Sequence, residues 1–142
     1  MTDVRTATTL LPHALPVCEN ARIALFAIRR MGANGLSDAR AAHLLFTAFG
    51  QDFRRPLVLL RALMADLAGT ASGTIAIAPC CCARMTPAEN ALLTIISRID
   101  YAPDTARLLM TDLLGVRRVD GVLASAAAVS AAFADEGRPV TI

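Results

Sequence analysis

The chain has 142 residues, 55% of them apolar and 18% charged, and its net charge of +2 comes from fourteen basic residues that are all arginine. That length suits one domain with one sizeable core, and a charge so slight and so scattered along the chain excludes a nucleic-acid partner, which needs a concentrated basic face. A membrane span is excluded too, because no stretch offers about 18 continuous apolar residues: 121–134 is short and alanine-rich, and 67–83 is broken by Gly69, Gly73, Pro79 and cysteines.

Residues 1–15 read as a loosely held arm, since Thr6–Thr9 carry no helical period and His13 lies between two prolines. Asp3 beside Arg5 does not begin a leader peptide, so the expected location is cytoplasmic. A first helix is predicted from Pro16, with Val17, Ala21, Ala24, Leu25, Ile28 and Met31 facing inward, Glu19, Arg22 and Arg29 outward, and Gly32 and Gly35 as its stop. Ser37 is read as the cap of a second helix, with Ala42, Leu45, Phe46 and Phe49 inward as far as Gly50. A third helix is predicted over about 56–68, carrying Leu59, Leu60, Leu63, Met64 and Leu67 inward and ending at Gly69.

Residues 69–85 have no helical period and several backbone breakers, and form a connector. Residues 74–78 are apolar enough for a short extended segment, but a lone strand finds no partner in a helical domain. Thr86-Pro87-Ala88-Glu89 then gives the strongest local signal in the chain, a capping box with proline at the first helical position. The helix it opens turns Leu92, Ile95, Ile96 and Ile99 inward. A fifth is predicted over 103–114 with Gly115 as its stop, and a sixth, capped by Asp120, turns Val122, Ala126, Val129 and Phe133 inward before Gly137.

The two halves read alike. Glu19-Asn20-Ala21 recurs as Glu89-Asn90-Ala91, Ala39-Arg40 as Ala106-Arg107, Gly50 as Gly115, and Arg54-Arg55 as Arg117-Arg118. The expected fold is therefore all-α: a six-helix bundle in a single domain over 1–142, built from two three-helix units, 16–68 and 86–137, related by a pseudo-two-fold.

Chemistry-bearing motifs are sparse. Cys80-Cys81-Cys82 is the one unusual cluster, and with Cys18 it forms a possible thiol site. Consecutive cysteines in extended chain point to opposite sides, so Cys80 and Cys82 can converge while Cys81 turns away, and no second spaced pair completes a zinc set. Small buried apolar residues under a connector are the plainer reading of these thiols. His43, with Arg40 and Thr47 on a polar face, reads as solvated. The sequence points to no catalytic residues, metal or cofactor. Its composition implies a helical interaction or regulatory module whose surplus apolar surface, Phe26, Val58 and Leu108 included, is covered by forming a homodimer. An apolar ligand held between helices is the second reading, and a thiol-dependent enzyme or redox sensor the third.

Overall fold

The computed structural model describes residues 11–142. The fold is all-α apart from one two-stranded sheet. Strand β1 is His13–Ala14 and is followed by α1, Glu19–Asn34. Next come α2, Ala39–Phe49, a 3-10 turn over Gly50–Phe53, and α3, Arg54–Thr70. Beyond the connector lie β2, Arg84–Met85, then α4, Pro87–Arg98, α5, Pro103–Leu114, and α6, Asp120–Asp135. The 3-10 turn follows α2 directly and leads directly into α3, with the backbone turning at Gly50 (φ 64°) and kinked at Asp52, so that α2 and α3 count as one bent run and there are five helical runs where a six-helix bundle was expected.

Local chemistry accounts for most boundaries. Thr86 Oγ accepts from the Glu89 amide at 3.0 Å while the Glu89 carboxylate accepts from the Thr86 amide at 2.9 Å, closing the capping box of α4. Gly115 ends α5 in the left-handed conformation, at φ 67°. Elsewhere the boundaries move. Helix α1 starts at Glu19 rather than Pro16, and it runs through Gly32 to stop at Gly35, whose φ of 99° suits glycine. Asp38, not Ser37, caps α2, accepting from the Ala41 amide at 2.9 Å. Helix α3 passes through Gly69, and α6 begins at Asp120 with Val119 in the cap position.

Buried side chains from all the helices merge into one apolar cluster. Helix α3 packs most extensively on α6, α4 on α5, and α1 on α2. The alanines of α6 allow the close approach: Ala126 and Ala132 are fully buried beside Val129 and Phe133. Two expected inward positions face water instead. Val17 precedes the helix and is 93% exposed, and Phe46 is 49% exposed, where it meets Phe53 edge-on. The arm is also corrected. Its residues 1–10 lie outside the described residues, but His13 and Ala14 pair antiparallel with Met85 and Arg84, and the Arg84 guanidinium donates to the Leu11 and Pro12 carbonyls. The connector's second end thus supplies the strand partner, and its residues 74–78 stay outside any strand.

Candidate functional site

Arg29 lies furthest from its expected place. Its position in a helix beside Arg30 suggested an outward charge, yet its side chain is wholly buried. Nε donates to Glu89 Oε2 at 2.7 Å and Nη2 to Oε1 at 3.1 Å, so the capping carboxylate of α4 is also the counter-ion of α1. The guanidinium reaches on to the connector, donating from Nη1 to the Cys82 carbonyl at 2.9 Å and from Nη2 to the Arg84 carbonyl at 2.7 Å. Glu89 returns the grip, accepting from the Ala78 amide at 3.3 Å, while the Thr86 hydroxyl donates to the Ala76 carbonyl at 2.7 Å. A buried arginine and glutamate thereby bind a chain segment with no regular structure onto two helices. Both carboxylate oxygens are occupied and shielded from water, so Glu89 has no route to a substrate proton and its work is structural.

At its other end the connector is stapled to α5. The Ser72 amide and hydroxyl both donate to the Leu114 carbonyl at 2.9 Å, and a Cβ on Gly115 would lie 2.5 Å from the Ser72 Oγ. Pinned at both ends, the segment bridges α1, α3, α4 and α5 and leaves beneath it a pocket of about 530 Å³. Its floor is buried: Arg29, Leu67, Ala78 and Leu92. Its mouth is edged by small or apolar exposed residues, Gly32, Ala33, Ala68, Gly73 and Pro79, with Thr74 adding a hydroxyl. Met64, Ala71, Ile75, Ile77 and Leu113 complete the walls, and Arg29 is the only charged residue among the described lining. The connector passes over Gly32 with room for a side chain, since a Cβ there would meet Ile77 at 3.4 Å, an ordinary contact.

The four cysteines divide between two places. Pro79 to Cys82 is a tight turn closed by the Cys82 amide on the Pro79 carbonyl at 3.1 Å, with Cys81 exposed and Cys80 and Cys82 half-buried. Cys80 Sγ lies 3.9 Å from Arg30 Nη1, near the C-terminal end of α1. Cys18 sits before the first turn of that helix, roughly three turns away, so the structure does not bring it to the other thiols. Among the described residues no group of three His, Cys, Asp or Glu is placed to hold a metal ion.

Cys18 opens onto a second pocket of about 520 Å³, lined by Leu15, Met85, Asn90, Thr141 and Ile142 among others. Burial pushes its thiol up, but hydrogen bonding to Thr141 and to the amides of Ala21 and Asn20 outweighs that and brings it below its ordinary value. The Arg30 guanidinium, together with the Ala41 amide, holds the Asp38 carboxyl below the usual carboxylate range. Arg30 is raised in turn, chiefly by Asp38 and then by Cys80. His43 is exposed on α2.

A family model described as "Family of unknown function (DUF6628)" matches residues 1–118. The chain belongs to that family. No curated protein and no solved structure matches the chain. The whole lining of the first pocket, with the Arg29–Glu89 clasp, falls inside the matched stretch. The second pocket depends on Thr141 and Ile142 beyond it.

Helical periodicity put Arg29 on the wrong side of α1, but a signal for its burial was present. A capping glutamate on the inner end of a helix is an acid carried toward the core, and a buried acid requires a basic partner. Which arginine answers is not written in the periodicity, since Arg22 lies seven residues earlier on the same face of α1 and is exposed.

Proposed function

We propose that this protein binds an apolar small molecule in the pocket beneath its connector. The observation that carries the reading is the pocket itself: about 530 Å³, walled by five parts of the chain and mainly apolar. That volume falls in the range of roughly 300–1,000 Å³ usual for small-molecule sites. Clasps on either side support the reading, because fixed walls lower the entropy lost when a ligand is seated. The test is titration with the fluorescent apolar probe N-phenyl-1-naphthylamine. Saturable enhancement is expected, and Ala68→Trp, which projects an indole across the mouth from an exposed position, should abolish it without lowering the melting temperature. Equal binding by the variant places the probe elsewhere and ends the proposal.

Self-association is a second reading, supported by Val58 at 58% and Leu108 at 71% exposure. A dimer in sedimentation at micromolar concentration is its expected outcome, and a concentration-independent monomer removes it. The duplicated architecture is proposed on similar terms. The pairing of α1 with α2 and of α4 with α5, with α3 packed on α6, supports two three-helix units about a pseudo-two-fold. Superposing 16–68 on 86–137 tests it, with the same helix order and packing hand required.

A further inference from the structure

The clasp decides which kind of molecule the pocket admits. Arg29 supplies the lining's positive charge, but its guanidinium already makes four hydrogen bonds, two of them to the Glu89 carboxylate, and both side chains are buried. The pair is electrically closed. The remaining lining residues carry no charge, and those exposed at the mouth are glycine, alanine, proline and Thr74. An anionic ligand seated here therefore gives up water without gaining a cation, and a cationic one gives it up without gaining an anion. We infer that the pocket selects a neutral, mainly hydrocarbon ligand and discriminates against the same chain ending in a carboxylate or ammonium. The chemistry named is an uncharged aliphatic or alicyclic body with at most a hydroxyl or carbonyl for Thr74 to meet.

This inference rests on the pocket being a ligand site, and the experiment separates the two claims. N-phenyl-1-naphthylamine bound to the full chain is displaced at pH 8 by 1-decanol, decanoate or decylammonium, three ligands that share a chain and differ in charge. Decanol is expected to displace at least about tenfold more tightly than either ion, from the cost of stripping water from an unpaired charge. Thr74→Lys then places a cation at the mouth without touching the clasp. It should improve decanoate by roughly fivefold, the ratio that corresponds to the attraction of about 1 kcal/mol between unit charges a few ångströms apart in water. Decylammonium should weaken in that variant. Decanoate or decylammonium matching decanol on the unmodified chain overturns the selectivity and leaves the pocket standing. An unchanged decanoate affinity in Thr74→Lys, with the variant folded by circular dichroism, overturns it as well. Failure of all three to displace the probe, or displacement that persists in Ala68→Trp, overturns both the selectivity and the ligand site.

Discussion

Helices α1 and α4 carry the same triplet, Glu-Asn-Ala, in their first turns but in different registers, Glu19 being the first residue of α1 and Glu89 the third of α4, and the two glutamates have opposite fates. Glu19 stands in the first turn of α1 facing water, with Cys18 in the cap position and no side-chain hydrogen bond closing the cap. Glu89 is buried, caps its own helix and holds Arg29. Part of the difference is register, since a glutamate reaches back to the cap amide from the third helical position and not from the first, and part is what crosses each helix start. Over α4 runs the connector, which excludes water and brings backbone groups to the Glu89 carboxylate and the Thr86 hydroxyl, whereas at the start of α1 the C-terminal segment is held by Asn20, which donates to the Pro139 carbonyl, and leaves Glu19 in water. A local motif thus fixes where a helix starts, and the segment passing over it fixes whether its acid becomes a surface charge or a structural centre.

Removing each glutamate separately puts this contrast to its hardest test. Glu89→Ala strands the Arg29 cation in the core and should cost about 3–5 kcal/mol, while Glu19→Ala should stay within about 0.5 kcal/mol. Urea denaturation of the two variants decides it, and equal losses would mean that the buried pair contributes no more than a surface cap. Arg29→Met should resemble Glu89→Ala, because either change leaves one buried charge without its partner.

The glycine turns provide a second contrast. Gly115 takes a left-handed conformation under Ser72, so Gly115→Ala should cost about 1–2 kcal/mol for the backbone alone, with the Ser72 contact adding to it. Part of that loss should return in the double variant with Ser72→Ala, giving a less-than-additive pair. Gly32 is helical, and its new methyl would meet Ile77 at an ordinary distance, so Gly32→Ala should stabilise by about 0.5–1 kcal/mol. Full additivity at Gly115 would show that the connector does not bear on that turn.

These contrasts also mark how far the sequence could be read. The stripe of α6, the Gly115 stop and the capping box at Thr86 were legible because each depends on neighbours a few residues apart. Gly69 misled as a stop because α3 runs one residue past it, to Thr70, and Val17 misled because the helix begins after it. The connector was legible only as a gap in the helical pattern. Its clasp joins residues 60 positions apart, and its β2 partner lies in the arm, so neither leaves a periodic trace. The pocket is a property of that long-range arrangement, and its residues read singly as ordinary core.

The start of α2 is expected to respond to acid. Arg30 and the Ala41 amide hold the Asp38 carboxyl below its unfolded value, so the stability it contributes is present above about pH 4, the unfolded carboxylate range, and is lost as the pH falls through the lower folded value. Asp38→Asn should therefore unfold at lower urea than the unmodified chain at pH 7, and the two midpoints should converge as the pH drops below about 4. A constant gap between them would assign the effect to shape rather than charge.

The smallest effect concerns the two groups of thiols. Cys18 is half-buried, which slows reagents, but hydrogen bonding to Thr141 and the amides at the start of α1 favours its thiolate. Cys81 is exposed in its turn and is reached without hindrance. Under iodoacetamide, with sites mapped by mass spectrometry, Cys81 should label first at high pH, where access sets the rate. As the pH is lowered the advantage should narrow, because Cys18 keeps a larger thiolate fraction than a free cysteine does. Thr141→Val removes the hydroxyl and should shift the Cys18 labelling profile to higher pH while leaving the Cys81 profile in place. If both profiles move together, or neither moves, the Thr141 hydroxyl does not set the thiol's acidity, and the contrast between the rim of α1 and the connector turn reduces to exposure alone.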